Sequence, residues 1–338
     1  MRHANIGIFV PNNGCPNQCS FCDQHRVTGQ AYQPTRQDVL DAVAVAKENL
    51  KENTAYAEIA FFGGSFTAID RGYMVSLLEA AYPFVRDGTF SGIRVSTRPD
   101  AVEDEVLGVL KKYGVTAVEL GAQSMDDRVL ALNRRGHTAR CVEEASRRVK
   151  NYGFSLGLQM MTGLYGDTPE GSMETAKRLL ALQPDTVRVY PTIILKDTEL
   201  ERLYRSGEYA PMGLEESVSL CADILDFFED RGVCVIRLGL HSTPELESGI
   251  VAGPWHPAFR ELCESRRILK RLLKSLEEQK IPKGEIEITV SPRCVSPTVG
   301  QKKRNLAALA ELGYLAQVKG DAKLSCEEFT IKQVNKCS

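Results

Sequence analysis

What this chain lacks removes several classes of function. No apolar run among its 338 residues reaches the ~20 that a membrane-spanning helix needs, so no span and no membrane partner are expected. The opening Met1-Arg2-His3-Ala4-Asn5 is not built like a secretory leader and reads as the lead-in to a strand. An excess of one charge is missing too: 42 Lys and Arg stand against 44 Asp and Glu, for a net charge of −2. No global basic field points to nucleic acid, and only local clusters of Arg and Lys could do so. There are no low-complexity tracts and no internal sequence repeats, and tryptophan occurs once, at Trp255. With 43% apolar and 25% charged residues the composition is that of an ordinary globular chain, long enough for one large α/β barrel with or without an appendage. Ten cysteines without a secretory signal fit a reducing compartment, and a cytoplasmic location is expected.

Three of those cysteines are crowded into Gly14-Cys15-Pro16-Asn17-Gln18-Cys19-Ser20-Phe21-Cys22, at spacing C-x3-C-x2-C. The run Ile6-Gly7-Ile8-Phe9-Val10 before them reads as a short buried strand ended by Pro11, which places the cysteines on the loop leaving that strand. Four thiolates close an iron–sulfur cubane; three leave one iron open to another ligand. A zinc site that recruits His25 is the alternative, although a zinc ribbon wants a second Cys or His pair at a matching distance. Disulfides do not suit a chain that shows no sign of secretion. Cys141, Cys221, Cys234, Cys263, Cys294, Cys326 and Cys337 are scattered; Cys221 and Cys234 lie in apolar contexts, and the last three leave a second, C-terminal cluster open.

Downstream, apolar runs alternate with helical periodicity. Strands are expected at 6–10, 58–62, 92–97, 117–120, 154–161, 186–194 and 233–240, and helices at 37–52, 73–82, 103–113, 141–152, 171–181 and 214–229, with Thr35 capping the first helix. Strand–helix alternation at this length means right-handed crossovers and a parallel sheet. The fold class is therefore α/β, a partial (β/α) barrel of the TIM type over residues 1–241. The glycines and polar residues gather where strands end, the face on which such barrels carry their sites. A Pro- and Gly-marked loop and a basic helix (259–280) fill 242–280, and a small α+β appendage is expected over 281–338.

The cysteine spacing, with Phe21 beside the last cysteine, resembles the cluster motif of the radical S-adenosylmethionine (radical SAM) superfamily. Later segments follow in that superfamily's order. Gly63-Gly64-Ser65 stands where the methionine amino group is held, and its glycines would admit a ligand to the backbone. Gln123 and Ser124 stand where ribose and carboxylate are contacted, and the strand around Met160 where adenine is expected. Taken singly, each segment reads equally as an ordinary turn or barrel strand. Ser96-Thr97-Arg98-Pro99-Asp100, Glu119 to Ser124, Asn133-Arg134-Arg135-Gly136-His137-Thr138 and Tyr190-Pro191-Thr192 look like the radical SAM domain of the Elongator catalytic subunit, which modifies wobble uridine in tRNA. The likeness covers roughly residues 5–240. It departs in the compact first cysteine gap and in leaving no room for that family's acetyltransferase domain. The same motifs resemble oxygen-independent coproporphyrinogen III oxidase less closely.

The resemblance implies that Cys15, Cys19 and Cys22 hold a 4Fe-4S cluster whose fourth iron takes S-adenosylmethionine. An electron from a donor such as flavodoxin or ferredoxin then cleaves the cofactor to methionine and a 5′-deoxyadenosyl radical. Phe21, Gly63, Gly64, Ser65, Gln123, Ser124, Met160 and Tyr190 are the implied cofactor contacts, and no catalytic residue is assigned beyond the cluster. Arg98, Arg135, His137 and Arg188 are candidate substrate contacts near the strand ends; Arg98 or Arg188 could instead pair with an acid such as Glu119. Arg267 and Lys270, with Arg266, Arg271, Lys274 and Lys302 to Arg304, are candidates for tRNA phosphates, or a solvated helix face. A small-molecule radical SAM enzyme and a non-catalytic metal- or RNA-binding protein are the alternatives to a tRNA enzyme.

Overall fold

The computed structural model describes residues 4–11, 15, 19–23, 32–326 and 328–334. His25 and Cys337 lie outside them. The chain divides into two compact units, residues 1–214 with 228–255, and residues 215–227 with 256–338.

The first unit is built on β1 (Ala4–Val10), β2 (Ala57–Gly63), β3 (Gly92–Thr97), β4 (Val115–Gln123), β5 (Ser155–Thr162) and β6 (Thr186–Pro191). After the two-residue β7 (Ile194–Leu195) comes β8 (Cys234–Leu238). Seven of these form one parallel sheet in the order β1-β2-β3-β4-β5-β6-β8. Each strand pairs with the next one to join the sheet, so every crossover steps in the same direction. This is the partial (β/α) barrel expected.

Helices α1 (Arg36–Leu50), α2 (Arg71–Arg86), α3 (Asp104–Lys112), α4 (Asp127–Leu132), α5 (Ala139–Asn151), α6 (Pro169–Ala181), α7 (Glu199–Arg205), α8 (Leu214–Glu229) and α9 (Pro244–Gly249) complete it. Residues 215–227 of α8 are counted in the second unit. The helix starts are written locally. Thr35, Asp70, Thr138, Thr168 and Thr198 each accept a backbone N–H of the first turn. At Thr35 the cap is reciprocal, because Asp38 accepts the Thr35 N–H at 2.7 Å. The apolar strand and helix faces meet in a core whose fully buried members include Ile59, Phe61, Leu77, Ile93, Leu107 and Leu120. Each such side chain contributes about 1.5–3 kcal/mol.

Three features differ from the periodicity. Helices α4, α7 and α9 are short insertions between longer elements. The expected strand 186–194 stops at Pro191, and Ile194–Leu195 pairs instead with β9 (Ile250–Ala252) in antiparallel fashion. The helical pattern that the sequence shows over 302–312 is taken up only from Arg304, because Lys302 and Lys303 have φ of 53° and 60°, in the left-handed region.

The second unit holds α10 (Phe259–Glu278), β10 (Gly284–Val290), α11 (Val295–Val299), α12 (Arg304–Glu311), β11 (Tyr314–Gly320) and an unanticipated β12 (Phe329–Gln333). Here β10 is central, parallel to β11 and antiparallel to β12. Leu269, Leu272 and Leu276 of α10 share one core with Ile286, Ile288, Val290 and Leu309. The basic helix is thus packed into the appendage, not set apart from it. Among the described residues no helix is long and apolar enough to cross a membrane.

Candidate functional site

The cysteine loop leaves β1 and is held from two sides. The Ser20 hydroxyl donates to Asn133 Oδ1 at 2.7 Å and its N–H to the Asn133 carbonyl at 3.2 Å, while Leu200 N–H donates to Ser20 O at 2.8 Å. Asn133 is fully buried, and its Nδ2 donates to Val129 O at 2.8 Å and Tyr165 O at 2.9 Å. Phe21 packs on Ile194, Leu200, Leu203 and Tyr209. Two residues beyond Asn133, Arg135 Nη1 donates to Cys19 Sγ at 3.1 Å and Nη2 to Gly121 O at 2.8 Å. His137 Nε2 donates to Ala122 O at 3.2 Å. The polar loop 133–137, read from the sequence as facing substrate or RNA, therefore points inward in these three side chains and clasps the cysteine loop to the end of β4. Cys19, Cys22, Arg134, Asp197, Thr198 and Glu199 line a cavity of about 240 Å³.

Cys19 is close enough to Cys15 to raise the cost of ionising it. Burial first, then Cys19, push the Cys15 thiol up, while Arg98, Arg135 and the Ser65 backbone pull it down. Burial also presses the His137 pKa down to about 4, with Arg135 adding to it, so the ring is neutral.

The second strand ends as a close crossing. Gly63 has φ +112°, and a Cβ there would stand 2.8 Å from Val10 O. Gly64 N–H donates to that same carbonyl at 2.8 Å. Only glycine fits the Gly63 position, so β1 and the cysteine loop are fixed against the end of β2. Ser65 Oγ lies 2.8 Å from Thr97 Oγ1 and accepts the Arg98 N–H at 3.1 Å. Arg98 itself forks onto Asp100 at 2.8 and 2.6 Å. Gln123 closes β4 with φ +66°. The Ser124 hydroxyl accepts Asp126 N–H at 3.1 Å, so it serves the turn into α4. Met160 is fully buried, whereas Gln159 and Met161 are half-buried. Strand alternation therefore puts those two on the opposite face from Met160.

Five buried atoms at these strand ends have no hydrogen-bond partner among the described residues: Arg98 Nη1, Gln123 Oε1, Arg135 Nε, His137 Nδ1 and Thr192 Oγ1. Buried polar groups are normally satisfied, so such a set marks a place where a polar ligand or water completes the bonding.

Across the inner face runs a charged ladder, of which the sequence offered only the pairing of Arg188 with Glu119. Arg94 on β3 pairs with Glu58 on β2 at 2.7 Å and Glu119 on β4 at 3.2 Å; Arg188 on β6 pairs with Glu119 at 2.7 Å. Arg188 also lies 4.6 Å from the centre of the Phe62 ring. Burial works against its charge, and Glu119 and Tyr190 outweigh that, holding its pKa above the ordinary value. Gly157 on β5 clears the path, since a Cβ there would come within 2.6 Å of Glu119 Cγ. The signal was legible as one charged residue inside each of four apolar strands.

In the second unit, Arg267 pairs with Asp226 at 2.7 Å and Lys270 with Asp223 at 2.6 Å. Arg266 and Arg271 pair with Glu215 and Asp226 at 2.7 and 3.1 Å, and Arg304 also pairs with Glu215. The acidic side of α8 thus meets the basic side of α10. The cluster read from the sequence as a phosphate surface is largely matched by carboxylates within its own unit.

The radical SAM superfamily profile matches residues 9–179, and the radical SAM C-terminal domain profile matches residues 184–271. The chain belongs to the radical SAM superfamily. Elongator complex protein 3 of Homo sapiens is 34% identical over 251 residues, covering 65% of this chain and 45% of that protein. The tRNA uridine(34) acetyltransferase of Dehalococcoides mccartyi is 27% identical over 252 residues, covering 65% of this chain and 55% of that protein. The chain spans about half the length of these relatives. The structure of Methanocaldococcus infernus Elp3 with an N-terminal deletion superposes with TM-score 0.61 at 20% identity, over 82% of this chain and 63% of that one, a likeness of fold.

Membership makes this radical SAM enzyme a 4Fe-4S and S-adenosylmethionine protein. The residues suit those groups. No three Cys, His, Asp or Glu side chains among the described residues are placed to share a single metal ion. A cubane takes one thiolate per iron, so it does not need that. The partnerless atoms above offer both donors and acceptors to a polar cofactor.

Proposed function

We propose that Cys15, Cys19 and Cys22 hold the 4Fe-4S cluster and that the enzyme acts on tRNA, at the wobble uridine. The first part is supported by the clasp on the cysteine loop, which brings the buried Arg135 onto the Cys19 thiol at the C-terminal mouth of the barrel. The second is carried by kinship with proteins named for tRNA uridine(34), over 65% of this chain. When bound, the cluster and cofactor supply the 5′-deoxyadenosyl radical; a one-electron donor feeds them. The chain's own residues do the rest. Asn133, Ser20 and Leu200 fix the cysteine loop. Gly63 lets the end of β2 close on β1 beside it, and Gly64 N–H holds that crossing through Val10 O. Gln123, Arg98 and Thr192 offer unfilled donors and acceptors to the cofactor. The ladder of Glu58, Arg94, Glu119 and Arg188 holds Arg188 on the inner face, toward the substrate. Arg267 and Lys270 have no place in this proposal, because Asp226 and Asp223 already engage them.

The test is anaerobic reconstitution followed by S-adenosylmethionine cleavage with and without tRNA, and nucleoside mass spectrometry of tRNA from cells with and without the chain. Stimulation by tRNA and a missing modified nucleoside are expected. The absence of both turns the reading to a metabolite substrate. Cys19→Ala is expected to lose cluster and cleavage together. An anaerobic wild-type preparation that holds zinc and no iron refutes the cluster assignment.

A further inference from the structure

We infer that Arg135 is a positioning residue that sets how readily the cluster accepts its electron, by holding a positive charge on the sulfur of Cys19. The inference rests on the proposed reading of Cys19 as a cluster ligand.

Two buried arginines face the cysteine loop, and they are not equivalent. Arg98 is buried, but its guanidinium is forked onto the Asp100 carboxylate, which cancels most of its field at a distance. Arg135 is 7% exposed, and its partners among the described residues are a thiol and a peptide carbonyl. Neither carries a carboxylate's charge. An arginine does not lose its proton inside a protein. A full positive charge, weakly screened by burial, therefore sits 3.1 Å from Cys19 Sγ.

The side chain has little freedom to leave. The Gly121 carbonyl near the end of β4 holds Nη2 at 2.8 Å. Asn133, two residues earlier, is bound to Ser20 beside Cys19 through both main chain and side chain. The arginine and the cysteine loop are thus fixed to each other.

An electron entering an iron–sulfur centre adds one negative charge. Hydrogen bonds and positive charge at its sulfurs favour that form and raise the potential. Arg135 accordingly makes the cluster easier to reduce, through its charge and through its hydrogen bond to Cys19 Sγ, and losing either lowers the potential.

Wild type, Arg135→Gln, Arg135→Lys and Arg140→Gln are reconstituted anaerobically, and iron and sulfide are counted. The midpoint potential is then read by electron paramagnetic resonance during a redox titration, without S-adenosylmethionine, so contacts to that cofactor do not enter. Arg135→Gln is expected to lower the equilibrium constant for reduction about tenfold, ~59 mV for one electron. Arg135→Lys keeps the charge but cannot serve both Gly121 O and Cys19 Sγ with one fork, and is expected between the two. Arg140 on α5 is 85% exposed and paired with Glu144, and its variant is expected at the wild-type potential. An unchanged midpoint in Arg135→Gln at full cluster content overturns the inference. So does a shift in Arg140→Gln as large as that in Arg135→Gln. If Arg135→Gln does not hold a cluster, Arg135→Lys decides, and its unchanged midpoint is equally fatal. A wild-type chain that takes up no iron fails the underlying cluster reading instead, and the iron count separates the two failures.

Discussion

Glu119 is the keystone of the inner face, and Glu119→Gln is the perturbation that tests it. Its side chain is 3% exposed and serves two arginines, Arg94 at 3.2 Å and Arg188 at 2.7 Å. Neutralising it does not strand both equally. Arg94 retains Glu58 at 2.7 Å. Arg188 keeps the Phe62 ring and Tyr190, and loses its carboxylate. Breaking a buried pair from one side costs about 3–5 kcal/mol, and the glutamine still accepts one hydrogen bond, so about 3 kcal/mol is expected. At roughly 2–4 °C per kcal/mol, melting should fall by roughly 6–12 °C. Arg188→Met removes the stranded charge and leaves Glu119 paired with Arg94, for about 1–2 kcal/mol. The double variant should then lose about 2–3 kcal/mol, not the sum, a coupling of about 2 kcal/mol. Urea unfolding of the apo chain under anaerobic conditions, followed by circular dichroism, measures all three. Strict additivity, or a loss below about 1 kcal/mol in Glu119→Gln, would show that the ladder is not a coupled network.

Other outcomes follow from the same geometry. Asn133→Ala leaves Ser20 and two carbonyls without their partner, and is expected to destabilise by about 2–4 kcal/mol and to lower iron per chain; wild-type iron content would deny it a hold on the cysteine loop. Gly63→Val forces a Cβ onto Val10 O at positive φ and should cost about 2 kcal/mol or more in urea, whereas Gly64→Val should keep the cluster and weaken S-adenosylmethionine binding by calorimetry. An unchanged affinity removes Gly64 from the cofactor site. His137 is held neutral with a pKa of about 4 against 6.5, so the unfolded chain binds the extra proton between those values. Stability is full above pH 6.5 and falls by up to about 3 kcal/mol as pH drops toward 4. His137→Gln should flatten that slope, and an equally steep slope in the variant assigns it to other groups.

The amino-acid sequence determined the cysteine loop, the alternation of strands and helices, and the caps at Thr35 and Thr138, because spacing, period and capping are local properties. It also carried the family, through motifs that follow one another in order. Charge was a different matter. Arg267 and Lys270 formed a basic patch when read along one helix, and became ion pairs once α8 brought Asp226 and Asp223 opposite them. Arg188 found Glu119, 69 residues away, only because β4 and β6 flank β5 and Gly157 leaves the gap open. The roles of Asn133 and Arg135 were hidden in the same way: their partners Ser20 and Cys19 lie 113 and 116 residues earlier. A side chain's type and period are written in the chain. What stands opposite it is set by which strands are neighbours, and a charge or a hydrogen bond acquires its role only from that neighbour.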